Sequence, residues 1–472
     1  MVCSQIFSDE QCSNLWSASE YNSNNAWIFN ATNGNLNNNN KMNGNSCRGS
    51  LEFGFDKTDE LDDGVLKLSE LIGFYHITRQ HKRNKISQLI FEYNQRRELI
   101  ELLLAINYFE YIPRVSICFI ITYPKIREVI AANFRDRIAQ TYLVRKLTPY
   151  MEQYLHPDSY SCRVGKGSLR AVLQLREYIA IVSERYTRDC WVYKFDIKSF
   201  FMSIDTNIFA PRLIVFIQER YTGDDKEILI YLARVIFQSL PQAHCIRKSQ
   251  PFMWDGLSQD KSLLHRCDGV GIPIGNVTSQ MMCNFVTTAI LFFLAKFGIR
   301  FAHYTDDNGG AVPDKEDFLK TMRLLKAFVA EDLHLQIHPF KFYLQHYTKG
   351  IEMLGFKIKK SRLLPSDRIF HNFDWKITRA IRRAEDNEDY VYRNKESFMQ
   401  TLNSYLGTLK WCNSYRLRKM EVERVSNSKW NAVYDFDTDN YLKVTIKPRF
   451  NIVNYYIRAN KKRKRLLKLE TL

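Results

Sequence analysis

The sequence contains no run of about 18 consecutive apolar residues, so it offers no segment expected to span a membrane. Its first residues, Met1-Val2-Cys3-Ser4-Gln5, lack the basic-then-apolar layout of a secretory signal, and a cytoplasmic protein with no membrane partner is the expectation. None of the ten cysteines falls in a CxxC pair, which argues against a zinc knuckle and for ordinary reduced thiols. Acidic residues are outnumbered, 51 against 68 Lys plus Arg, for a formal charge of +17. A field of that sign favours a polyanionic partner, either nucleic acid or an acidic membrane face. What the chain does have is material for a core. At 472 residues, with 45% hydrophobic and 14% aromatic content, wholesale disorder and a small stapled scaffold are both excluded.

The first sixty residues differ from the rest. Between Asn22 and Asn45, twelve of twenty-four residues are asparagine, a tract too polar to offset the entropy of ordering, and disorder is expected there. Residues 1–61 hold seven acids and three bases, so the remainder carries +21 and the basic signal belongs to the body of the protein. From about Asp62 the pattern is mixed. Apolar spacing predicts helices over 66–80, 86–106, 135–151, 168–186 and 206–240, and a further one from about Asn276 to Phe297. Strands are expected at Val115–Thr122, Arg127–Ala131 and Trp191–Ile197, and a strand, tight turn and return strand over 299–313, the turn built on Asp306-Asp307-Asn308-Gly309. Residues 241–270 read as a polar loop insert. Helices are expected at 374–384 and 395–424, and seven of the eleven residues from Arg458 to Lys468 are basic.

Two strand-borne acidic sites stand out, Asp196 at the end of WVYKFDI and Asp306-Asp307 in AHYTDDNGG. An Asp-Asp pair in a turn is, by itself, a solvated β-turn. If the two strands pair side by side, however, their carboxylates converge into a donor set able to hold two divalent ions roughly 3.5–4 Å apart for in-line phosphoryl displacement. Hard oxygen ligands favour Mg²⁺, with Mn²⁺ as a substitute. Between the two sites lies Gly271-Ile272-Pro273-Ile274-Gly275-Asn276-Val277-Thr278-Ser279-Gln280, a glycine-bracketed turn entering a helix, which lets backbone approach a flat ligand closely.

In this order, FDIKSFF (195–201), GIPIGNVTSQ (271–280) and YTDD (304–307) resemble the palm motifs of reverse transcriptases. Flanking segments extend the likeness over about residues 65–370: Tyr123-Pro124-Lys125-Ile126-Arg127 and Phe134-Arg135-Asp136-Arg137 upstream, His338-Pro339-Phe340-Lys341 and Met353-Leu354-Gly355-Phe356 downstream. The resemblance implies an α+β right-hand polymerase: fingers over 62–190, a palm of antiparallel sheet plus helices over 191–370 carrying the insert 241–270, and a basic helical thumb and tail over 371–472. It implies Asp196 and Asp306 as metal ligands, with Ile197 and Asp307 beside them, and Lys341 as proton donor to pyrophosphate. Lys125 and Arg127 would clamp the incoming triphosphate, Phe201 would exclude a ribose 2′-hydroxyl, and Ile274, Gly275 and Gln280 would face nucleotide and template. Read alone, Phe201 is equally a core aromatic and the lysines solvated bases.

The insert and the wording IGNVTSQ, where many relatives have Ser-Pro, resemble the reverse transcriptases of diversity-generating retroelements. That kinship implies cDNA mutagenised at template adenines, an RNA template and RNA–DNA hybrid as partners with dNTPs, and a small basic helical accessory protein oligomer. Trp16 to Tyr21, Asn24 to Trp27 and Gly34-Asn35 also resemble a ligand-binding segment of the C-type-lectin-like proteins such elements diversify, so residues about 10–50 are expected to be template repeat read through in frame. An antiphage defence reverse transcriptase and a non-catalytic RNA-binding scaffold are the alternatives. One departure is Asn308-Gly309-Gly310 after the aspartates, where an aromatic or aliphatic residue is usual and a more flexible turn is expected. No RNase H or HNH pattern is present.

Overall fold

The computed structural model describes residues 64–80, 85–123 and 125–450, together with the backbone of three short strands nearer the N-terminus. Those strands, Leu15–Glu20, Asn25–Phe29 and Leu36–Asn40, pair in sequence order as an antiparallel sheet within the segment expected to be disordered. Trp16, Trp27 and Phe29 supply β propensity that the asparagine count hides. The rest of that head, Pro124 and the basic tail 458–468 lie outside the described residues.

The chain divides into two compact units. One comprises the described parts of Met1–Cys162 with Ile197–Phe297 and Thr321–His338; the other comprises Arg163–Asp196, Gly298–Lys320 and the described part of Pro339–Leu472. Both mix helices and sheets, as the expected α+β class requires.

In the first unit, Leu99, Leu102, Leu103 and Ile106 of helix Gln95–Asn107 are fully buried at helical spacing. The single helix expected over 86–106 is in fact two, Ile86–Tyr93 and Gln95–Asn107, because Asn94 leaves helical geometry and ends one while starting the other. The 206–240 helix likewise divides into Thr206–Arg220 and Lys226–Gln238. Asp225 fixes that break, accepting hydrogen bonds from Tyr221 (2.6 Å) and Tyr142 (2.7 Å) with Lys146 Nζ at 3.0 Å. The two strands expected here form as Ser116–Ile121 and Arg127–Ala131, and they pair antiparallel. The insert is more than a polar loop: its Cys245–Arg247 adds a parallel strand to Ser116–Ile121, followed by three short 3₁₀ turns. Helix Val277–Lys296 is long and apolar enough to cross a membrane, yet 72% of its most apolar window is buried within the protein, as in a core helix.

The second unit is built on a four-stranded antiparallel sheet in the order Tyr343–His346, Trp191–Asp196, Asp307–Val312, Arg300–Tyr304. Helix Ser168–Val182 and the first turns of helix Lys315–Glu331 belong to this unit, and Phe318 of the latter lies 4.2 Å, ring to ring, from Tyr193. Helices Asp367–Asp386, Glu388–Leu409 and Tyr415–Ser426 enclose a separate core of Phe373, Ile377, Leu402, Leu406, Val422 and Trp430. The helix expected at 374–384 is longer at both ends, and the one at 395–424 is broken. Asn413 causes the break: its backbone N–H bonds Leu363 O at 2.7 Å and its side-chain oxygen accepts from Leu363 N–H at 2.9 Å, so the chain leaves the helix to pair with residue 363.

Candidate active site

The strand Trp191–Asp196 alternates, so that Val192, Lys194 and Asp196 share one face. Its register sets Asp196 opposite Asp307 and Lys194 opposite Gly309. Asp307 also pairs with Tyr304 across a two-residue hairpin loop, Thr305-Asp306, with Thr305 at φ 60°. Tight hairpins need positive φ, which a β-branched residue adopts only under strain. The three aspartates therefore meet at one end of one sheet, the juxtaposition the sequence called for.

The turn lies two residues earlier than expected. Asp307, Asn308 and Gly309 are strand residues, not turn residues, and Asn308, Gly309 and Gly310 are buried. The glycines serve packing instead of flexibility. A Cβ on Gly310 would run into the Tyr193 ring and the Arg300 carbonyl, and one on Gly309 would meet Met353 Sδ at 2.9 Å. Asn308 is fully buried with both side-chain polar atoms lacking a hydrogen-bond partner.

Electrostatics at this end of the sheet are balanced by two lysines. Lys341 Nζ hydrogen-bonds Asp196 Oδ2, and Lys194 Nζ lies 3.0 Å from Asp307 Oδ1. Burial, then the neighbouring charges of Asp196 and Asp307, push the Asp306 carboxyl up to about 6, with Lys341 pulling the other way. Asp196 is 7% exposed, and its Oδ1 has no hydrogen-bond partner. Among the described residues no group of three or more His, Cys, Asp and Glu stands ready-formed around a metal position; the lysines carry the balancing charge instead. The donor chemistry nonetheless fits a hard divalent cation: three convergent carboxylates, one with a buried unpartnered oxygen and one whose ionisation the other two oppose.

The remaining sequence-derived candidates belong to the first unit. Lys125 and Arg127 are exposed, the latter at the start of its strand. Phe201, in the helical turn Phe200–Ser203, and Ile274 both pack against a small core of Cys118, Ile130, Met202 and Leu263. Gly275, at φ 118°, runs close to Val129, where a Cβ would come within 2.9 Å of the valine. Gln280 is exposed on helix Val277–Lys296, and Ile197 is buried, bridging to Ile337. Sequence reasoning missed Lys194, although its position two residues before Asp196 places it on the same strand face.

Residues 123–358, half of the chain, match the family model for the reverse transcriptase (RNA-dependent DNA polymerase). The chain belongs to the reverse transcriptase family. This is a family of RNA-directed DNA polymerases, nucleotidyltransferases of the right-hand fold that bind template RNA and nucleotides and generally use divalent metal ions. No curated protein matches by sequence. Solved structures similar to this reverse transcriptase include apo telomerase from Candida tropicalis truncated from its C-terminal domain (11% identity, TM-score 0.38, covering 53% of this chain and 55% of that one). Telomerase from Candida albicans in complex with a TWJ fragment of telomeric RNA (12%, 0.39, 67% and 58%) and a second apo telomerase structure from Candida tropicalis (10%, 0.39, 68% and 63%) are further examples. The chain spans between 55% and 63% of the length of these structures.

Proposed function

We propose that this chain copies RNA into DNA by nucleotidyl transfer at the sheet end carrying Asp196, Asp306 and Asp307, and that it does so as the polymerase of a diversity-generating retroelement. The convergence of those three carboxylates on paired strands carries the first part. Asp196 and Asp306 would hold Mg²⁺, with Ile197 and Asp307 adjacent. Bound there, the ions would neutralise charge on the transferring phosphoryl group and ease ionisation of the primer 3′-hydroxyl. The chain's own residues do the rest. Lys341, which hydrogen-bonds Asp196, would give a proton to departing pyrophosphate. Lys194 offsets the charge of Asp307. By resemblance, Lys125 and Arg127 clamp the triphosphate, Phe201 excludes a 2′-hydroxyl, and Ile274, Gly275 and Gln280 face the nucleotide and template. The segments 62–190, 191–370 and 371–472 take the parts of fingers, palm and thumb. The basic helices of the last contact the hybrid backbone without reading sequence.

The retroelement assignment rests on the wording of Ile274 to Gln280, the insert at 241–270 and the lectin-like head. It brings an adenine-biased error spectrum, a small basic helical accessory oligomer and cytoplasmic residence. Primer extension by the purified chain on an RNA template with dNTPs and Mg²⁺ tests the activity. Extension by the native chain and its loss in Asp306→Asn are expected, and equal extension by both would overturn the catalytic assignment. Sequencing the cDNA tests the subtype: errors spread evenly over the four template bases would remove it while leaving the polymerase.

A further inference from the structure

Glu128 is 1% exposed on strand Arg127–Ala131, and its carboxylate is saturated by donors from one place, the insert. Oε2 accepts from Trp254 Nε1 at 2.8 Å and from Ser262 Oγ at 2.7 Å, and Oε1 accepts from the Leu263 backbone N–H at 2.7 Å. A buried carboxylate is costly unless its oxygens are satisfied, so these three bonds fix where the insert sits. Leu263 and Trp254 then carry that position inward. Leu263 belongs to the core cluster with Cys118, Ile130 and Met202, and Phe201, Ile274 and Trp254 pack against it. Leu263 also closes on Gly271, where a Cβ would collide with its methyl group. The Phe201 carbonyl in turn accepts the Ile272 N–H at 2.8 Å, tying the gate residue to the glycine-bracketed turn.

We propose that Glu128 is a positioning residue for sugar discrimination: through Trp254, Ser262 and Leu263 it holds the insert as the backing against which Phe201 and the Gly271–Asn276 turn are set. The proposal rests on the reading of Phe201 as the group that excludes a 2′-hydroxyl. A steric gate discriminates only as well as its wall resists displacement, because an intruding hydroxyl can be accommodated by a small outward shift of the ring. Phe201 itself is only half-buried and sits on a single helical turn, so its resistance must come from what lies behind it. The cluster behind it joins the strand residues Cys118 and Ile130 to the insert through Leu263.

The experiment measures kcat/KM for a dNTP and for the matching rNTP. Phe201→Ala, Glu128→Gln and Trp254→Phe are compared with the native chain. The amide of Glu128→Gln must turn an NH₂ toward at least one donor, and Trp254→Phe keeps a ring in the cluster while removing one N–H. Both are expected to raise rNTP use relative to dNTP use. For Glu128→Gln the rise should be about tenfold, as for the loss of one hydrogen bond to a charged group. A role confined to stability would lower both substrates' rates together and leave their ratio alone. If Phe201→Ala raises the ratio while Glu128→Gln and Trp254→Phe leave it at the native value, the proposal is overturned and the gate stands. If Phe201→Ala leaves it unchanged, the gate reading falls and the proposal with it. Should Glu128→Gln fail to fold, Trp254→Phe decides.

Discussion

The Lys194 ammonium lies 3.0 Å from the Asp307 carboxylate of the neighbouring strand, with each side chain about 30% exposed. Lysine here stands beside carboxylates that repel one another, and removing it uncovers that repulsion. Lys194→Met should lose about 1 kcal/mol of stability in metal-free buffer, the scale of a partly exposed pair. Added Mg²⁺ should raise the melting temperature more in the variant than in the native chain. Equal responses to Mg²⁺ in thermal melts would refute this account of the site's charge balance.

Asp136, in the first unit, gives a separate pH signature. Burial pushes its carboxyl up from 3.8 to about 6, against hydrogen bonds from the Arg114 N–H and the Tyr111 hydroxyl. The folded state therefore holds the proton more tightly than the unfolded state. The resulting cost is fully present above pH 6 and is relieved as pH falls from about 6 toward 3.8. Against Asp136→Asn, the native chain should gain about 2–3 kcal/mol across that window on cooling-free acid titration of stability. Urea midpoints of the two proteins that differ by a constant amount at every pH would contradict it.

Asn308 occupies a fully buried strand position with neither amide atom hydrogen-bonded. Replacing an unsatisfied buried amide by an apolar side chain of similar size removes a desolvation cost. Asn308→Val should accordingly be more stable by about 1 kcal/mol, seen as a higher denaturant midpoint with an unchanged slope. A lowered midpoint would show that the amide is satisfied in solution.

Gly310 offers the opposite case. Its missing side chain makes room for the Tyr193 ring and the Arg300 carbonyl, and backbone cannot step aside cheaply. Gly310→Ala should destabilise by about 1–3 kcal/mol, whereas Gly73→Ala, on a helix with open space at the Cβ position, should not. Thermal melts of the two variants provide the comparison.

Parts of this architecture were legible because they are local. The strand-like run WVYKFDI and the ordered trio of motifs located the carboxylates, and the strand register then brought Asp196 opposite Asp307. The turn was expected two residues too late because Asn308-Gly309-Gly310 looks like a turn in sequence; the crowding by Tyr193 and Met353 that makes the glycine positions small is visible only in three dimensions. Asn94 ends its helix by a backbone conformation outside the helical range, and Asn413 leaves its helix by pairing with Leu363, neither of which apolar periodicity records. Glu128 was invisible for the same reason at greater range: its three donors lie 126 to 135 residues further along the chain.

That separation has a consequence for biosynthesis. The parallel pairing of Cys245–Arg247 with Ser116–Cys118, reinforced by the Ile120 N–H to Ser249 Oγ bond across 129 residues, can form only after the insert has emerged from the ribosome. At roughly 5–20 residues per second, the nascent two-stranded ribbon waits on the order of ten seconds with one edge open and the Glu128 carboxylate without its donors. During that interval an exposed edge can recruit another nascent chain, so the yield of this enzyme should depend on how fast residues 240–263 are translated.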